Sequence, residues 1–114
     1  MSVKLTTRQV GDVTVIDAVG RITLGDGAST FRDTVRNLSA GGHKKLLLNL
    51  AEVSYIDSSG IGEMVSGFTT ITNQGGAVKL LNLNKRVKDL LQITKLYTVF
   101  EVFDDEAAAV TSFA

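Results

Sequence analysis

Five residues, Leu46-Leu47-Leu48-Asn49-Leu50, set the strongest constraint on how this chain folds. As a strand the run is almost wholly apolar on both sides, so it needs cover on both faces. Over so short a stretch periodicity does not separate a buried strand from a buried helix. Its length and the flanking glycines, among them Gly41-Gly42, favour a central strand. Such a strand belongs in a sheet packed with helices, and the rest of the chain offers both elements.

Upstream, residues 3–9 alternate: Val3, Leu5 and Thr7 fall on one side, Lys4, Thr6 and Arg8 on the other, as in a half-buried strand. Gly11-Asp12 is a turn signal, and the β-branched stretch Val13–Val19 completes an N-terminal hairpin. Gly20–Gly27 reads as a loop. From Ala28 the period becomes helical, with Phe31, Val35 and Leu38 opposite Arg32, Asp33 and Arg36, and Gly41-Gly42 ends the helix. Downstream, Ile61, Met64, Val65, Phe68, Ile71 and Thr72 mark a second helix closed by Gly75-Gly76, with Met64, Val65 and Phe68 assigned to the core. Ala77–Leu83 reads as a strand, and Lys85–Gln92 as a short helix with Val87, Leu90 and Leu91 inward. Val99–Phe103 reads as a last strand, and Asp104 is placed to cap a C-terminal helix over Glu106–Thr111. The order β β α β α β α β α predicts an α/β fold. Its sheet is open and mostly parallel, with right-handed crossovers, an N-terminal hairpin strand at one edge and about four helices. Sites in such sheets form beyond the carboxyl ends of the strands, where the loops at 20–27 and 54–60 lie.

Composition narrows the function. A chain of 114 residues without a linker or internal repeat is expected to be one domain, residues 1–114, with a single core. Twelve basic residues balance twelve acidic ones, and the two halves barely differ, which speaks against nucleic acid as a partner. Without cysteine there is no disulfide or thiolate chemistry, and one histidine makes no zinc site without a partner. The N-terminal residues lack the apolar core of a signal peptide, and aliphatic runs such as Leu46–Leu48 fall far short of the ~20 residues that span a bilayer. These features predict a soluble, cytoplasmic protein without direct membrane contact.

The most unusual segment is Ser54-Tyr55-Ile56-Asp57-Ser58-Ser59-Gly60-Ile61-Gly62, at the junction of a buried strand and a helix start. A helix start presents unpaired N–H groups and partial positive charge. In the plainer reading Asp57 or Ser58 is simply the N-cap. In the sharper one, a serine here is a regulatory phosphoacceptor, because phosphate at a helix start gains backbone N–H contacts and is tolerated by the fold. The two are compatible, with Asp57 capping while Ser58 points outward. Gly60-Ile61-Gly62 lacks the third glycine of a dinucleotide fingerprint, and no Gly-Lys-Ser/Thr follows a glycine-rich loop. His43 precedes the strand that Ser58 follows, which places it at the opposite end of the sheet as a solvated loop residue, and Asp57 next to Ser58 forms no triad. Catalysis is not expected.

Asp57-Ser58-Ser59-Gly60-Ile61-Gly62 resembles the Asp-Ser-[Ser/Thr]-Gly-Leu-Gly motif of the STAS family, the domain of bacterial anti-sigma-factor antagonists. The preceding stretch Leu47–Ile56, Gly75-Gly76 and the Val87, Leu90-Leu91, Leu96 pattern also fit, over essentially the whole chain. The resemblance implies a binding switch with Ser58 as phosphoacceptor and Asp57, Ser59 and Gly60 shaping its loop. The implied partner is an anti-sigma factor that is also an ATP-dependent serine kinase. It is bound while Ser58 is unphosphorylated and released by phosphorylation, and a protein phosphatase resets the switch. The antagonist needs no cofactor or metal of its own, because the kinase brings nucleotide and metal.

One departure stands out. Where the family often has Gly-x-Leu-Asp, this chain has Gly20-Arg21-Ile22-Thr23, then Gly25-Asp26-Gly27. Thr23 replaces an acidic residue of the partner surface, so either Asp26 substitutes for it or the partner differs. Arg21 is then a solvated charge or a neighbour of the phosphate. Two other STAS roles stay open: a non-phosphorylated accessory subunit bracing the ATPase of a lipid-transport ABC system, and a scaffold subunit of a stress-sensing complex.

Overall fold

A computed structural model describes residues 3–114. Its five strands form one sheet in sequential order: β1 (Val3–Val10), β2 (Val13–Ile22), β3 (Lys45–Ile56), β4 (Ala77–Leu81) and β5 (Val102–Phe103). The first pair is antiparallel and the other three are parallel. Between and after them lie α1 (Asp26–Ala40), α2 (Ser58–Asn73), α3 (Lys85–Thr94) and α4 (Glu106–Thr111). The α/β sheet with its hairpin edge strand stands as the sequence predicts.

Alternation along β3 divides the core. Leu46, Leu48 and Leu50 join one buried cluster with Phe31 and Val35 of α1, Ile61, Met64 and Ile71 of α2, and Val87 and Leu91 of α3. Leu47 points the other way, into a smaller cluster with Val13, Val15, Leu81, Ala109 and Phe113. Three helices therefore cover one face, and the short α4 with Phe113 covers part of the other. Of the predicted core stripe in α2, Met64 is fully buried and Val65 and Phe68 pack against the cluster. The Phe68 ring meets Phe100 edge-on at 5.3 Å.

The structure corrects several boundaries. β3 runs on from Leu50 to Ile56, because two bulges against β2 break its two-residue alternation. Its residues in the large cluster are 46, 48, 50, 53 and 56, so the interval lengthens from two to three where an extra residue is inserted. β2 likewise continues through Gly20 and Arg21 to Ile22, which leaves 23–25 as the connection rather than 20–27, with Asp26 and Gly27 inside the first turn of α1. The predicted strand at 99–103 shrinks to two residues. Val99 N donates to Leu96 O at 2.9 Å in a 3-10 turn over Leu96–Thr98, so its backbone is spent before the ladder starts. Asp105, not Asp104, caps α4 by accepting from Ala108 N at 2.9 Å. Thr72 is exposed. His43 lies at the far end of the sheet from Ser58 as expected, but it is half-buried with Nδ1 3.0 Å from Thr14 Oγ1 rather than solvated.

Candidate functional site

The carboxyl ends of β2 and β3 are joined by backbone, by a carboxylate and by two close approaches. Arg21 pairs with Tyr55 and Ile22 with Ile56 at the last rungs of the ladder, and Asp57 N donates to Ile22 O at 3.3 Å. Asp57 then turns into α2. Its Oδ1 accepts from Gly60 N at 2.9 Å, the N-cap bond, and its Oδ2 accepts from Leu24 N at 2.9 Å. One side chain thus fastens the start of α2 and the tip of the β2–α1 connection. These N–H bonds, Leu24 first and Gly60 next, hold the Asp57 carboxyl below the usual carboxylate range.

Glycine is required at two points of this joint. A methyl group on Gly60 would run into Ile22 O, and one on Gly27 would stand 2.5 Å from Arg21 O. The first turns of α2 and α1 therefore both sit against the β2 backbone, which draws the two connections together.

Because Asp57 takes the cap, Ser58 becomes the first residue of α2 and is exposed, and its hydroxyl makes no hydrogen bond among the described residues. Ser59 is half-buried beside it and Gly60 is buried. Thr23 is half-buried, and its carbonyl accepts from Ala28 N at 2.8 Å. Asp26 is exposed in the first turn of α1. Arg21 is exposed, with its guanidinium 5.9 Å from the centre of the Tyr55 ring. Of the residues singled out in the sequence, Asp57, Ser58, Ser59, Gly60 and Thr23 gather at one joint. Asp26 opens α1 at the end of the same connection, and Arg21 lies on the next-to-last rung of the β2–β3 ladder.

Sequence reasoning passed over three residues. Leu24 is 79% exposed at the tip that Asp57 holds. Its signal was a lone apolar residue in a Thr-Leu-Gly-Asp-Gly connection. Asn84 caps α3 through a bond from Val87 N at 2.9 Å and donates to Val53 O at 2.6 Å, tying α3 to β3. An Asn before a helical Lys-Arg-Val stretch carries that signal. Arg86 also reaches Tyr55, 5.9 Å from the ring centre, and nothing local marks it.

Among the described residues no cluster of three or more His, Asp or Glu is arranged to hold a metal ion, and no helix is long and apolar enough to cross a membrane. Fold and joint together define a small α/β domain that presents a serine at a helix start, beside an aspartate that caps that helix. A family model for the STAS domain matches residues 4–109. The chain belongs to the STAS domain family.

Over 57 residues it is 40% identical to the anti-sigma-B factor antagonist of Bacillus subtilis (strain 168), covering 50% of this chain and 52% of that one. The match thus spans about half the length of that curated relative. The crystal structure of the Thermotoga maritima protein tm1081 superposes with a TM-score of 0.90 at 24% identity, over 96% of this chain and 93% of that one. The Bacillus cell fate determinant SpoIIAA in its phosphorylated form superposes with a TM-score of 0.76 at 18% identity, over 97% and 100%. At these identities the two structures speak for the fold.

Proposed function

We propose that this chain is an anti-sigma factor antagonist, a binding switch working in the cytoplasm as a single domain over residues 1–114. Unphosphorylated, it binds an anti-sigma factor that has serine kinase activity. Phosphorylation of Ser58 releases that partner, and a protein phosphatase restores the binding form. The protein itself performs no catalysis and carries no cofactor. The observation that carries this reading is the division of labour between neighbours: Asp57 caps α2 and leaves the Ser58 hydroxyl exposed and unbonded. The name of the Bacillus subtilis relative and the phosphorylated state of SpoIIAA support it.

The physics of the switch is local. A phosphoryl group adds about −1.5 to −2 charge at pH 7. On Ser58 it would stand beside the Asp57 carboxylate, already ionised, and near the exposed Leu24. The helix start tolerates the added charge, so the surface changes sign of appeal to a partner while the fold persists. Ser59 and Gly60 shape this loop, and Thr23, Asp26 and Arg21 flank it as partner contacts.

The test is phosphate mapping. After incubation with Mg-ATP and extract of the source cells, peptide mass spectrometry should find phosphate on Ser58 and none in Ser58→Ala, which should still bind the kinase. Ser58→Glu should bind it more weakly at nearly unchanged thermal stability. Phosphate on Ser59 would move the site by one residue. No phosphate beside an active kinase control would favour the transporter-bracing or scaffold role.

A further inference from the structure

A second surface centres on Tyr55, two residues before Asp57. Tyr55 is 39% exposed at the end of β3, and the guanidinium groups of Arg21 and Arg86 each stand 5.9 Å from its ring centre. Neither arginine pairs with a carboxylate among the described residues, although the chain is balanced in charge and other cations, such as Arg8, Lys45 and Lys79, do find one. Beyond Tyr55 an open groove of about 550 Å³ runs along α3, with Val87, Leu90 and Ile93 among its lining residues. Ile93 is 80% exposed, too much for a residue that only fills space in the fold. Asp89 also lines the groove, but Lys85 holds it at 2.8 Å and neutralises it. A shallower depression of about 330 Å³ lies among Arg21, Ser54, Tyr55 and Arg86, so Tyr55 and Arg86 belong to both hollows.

Charge decides what fits. Arg86 and Lys88 fall in the first turn of α3, where the helix field disfavours cations, and unlike Lys85 neither has a carboxylate partner among the described residues. The surface is therefore cationic at one end and apolar at the other. Nucleic acid is a poor match, because the chain has no net positive charge to draw a polyanion.

We propose that this surface docks an acidic peptide segment of a partner protein. Its carboxylates would meet Arg21 and Arg86 in the hollow they share with Tyr55, and an apolar side chain would lie in the groove against Leu90 and Ile93. Bidentate geometry suits arginine to such carboxylates, and a rigid aromatic beside two arginines is the kind of anchor that interfaces favour. The proposal is independent of any modification of Ser58.

A random-peptide display selection on the full chain tests it. The selected peptides should be enriched in Asp and Glu next to Leu, Ile or Phe. A synthetic copy of one should shift the amide resonances of Arg21, Tyr55, Arg86 and Ile93 and bind more weakly as salt rises. Arg86→Glu and Arg21→Glu should each weaken it by about tenfold or more, Ile93→Asp should also weaken it, and Arg86→Lys, which keeps the charge but loses the fork, should weaken it less than Arg86→Glu. All three substituted residues are exposed, and unchanged thermal unfolding of each variant separates lost docking from lost folding. Absence of enrichment, selection of basic peptides, or shifts confined to Ser58 and α2 would overturn the proposal. So would ATP or phosphatidylserine vesicles shifting these resonances where the selected peptide does not, or self-association that Arg86→Glu abolishes.

Discussion

The two faces of the sheet are built to different standards. The face under α1, α2 and α3 is one continuous apolar cluster running from Ile16 to Phe100. The opposite face has a small cluster beneath α4 and Phe113, and beyond it a polar layer. There Arg8 donates to Asp17 at 2.7 Å and to Glu106 at 2.5 Å, Asn49 donates to Asp17 at 2.8 Å, and Asn82 donates to Asn49. The first face gains its stability from area removed from water, and the second is held by directional bonds at its rim. The difference teaches where change is affordable: the open face and the rim can carry partner contacts without disturbing the face that holds the fold.

The largest effect should come from opening the covered face. Leu48→Ala removes a side chain that is 1% exposed and leaves a cavity that the surrounding helices cannot collapse into, at a cost of about 3–5 kcal/mol in a denaturant titration. A cost near 1 kcal/mol would mean that this core repacks freely and that the contrast is wrong. On the other face, Phe113→Ala should cost less, about 1–3 kcal/mol, since the residue belongs to the smaller cluster and lines an open surface hollow. An equal loss would make the small cluster as important as the large one.

Next comes the rim where the connections meet. Asp57→Ala removes the cap of α2 and the tie to Leu24 together, so the unfolding temperature should fall by about 3–8 °C. Faster hydrogen exchange should appear at both Leu24 and Gly60. Exchange rising at Gly60 alone would show that the two connections are not coupled.

The smallest effect belongs to the polar layer. Arg8→Gln should cost about 0.2–1 kcal/mol, as expected of ion pairs that solvent reaches. Its signature is in the pH dependence. Hydrogen bonds from Arg8 hold both Asp17 and Glu106 below the usual carboxylate range. Their contribution is complete above the ordinary carboxylate pKa of about 4 and is lost as pH falls through the lowered values. Arg8→Gln should therefore flatten the acid limb of the stability curve. An unchanged limb would show that the pairs contribute nothing in solution.

How much of this was legible in the sequence follows the same division. Helical spacing named Phe31, Val35, Met64 and Leu91 for the covered face, because apolar residues at a fixed period leave few alternatives. The capping motif gave Asp57 and Ser58 as candidates, and only coordinates chose Asp57, since both residue types cap equally well. The extension of β3 to Ile56 was hidden by its bulges, which put Ala51-Glu52 and Ser54-Tyr55 between buried residues and erase a two-residue rhythm. Asp105 over Asp104 was beyond the reach of pattern, because adjacent aspartates differ only in backbone angle. The Arg21, Tyr55 and Arg86 grouping unites β2, β3 and α3, and no local window contains it.

The tie from Asp57 to Leu24 bears on anyone who would transplant the serine loop. Grafted alone onto another scaffold, the segment Asp57–Gly62 would arrive with one carboxylate oxygen unemployed and with Gly60 facing a strand of the wrong shape. The portable unit is discontinuous: the end of β2 with its connection, and the end of β3 with the start of α2. A designed switch that borrows the serine must borrow Ile22 and Leu24 with it.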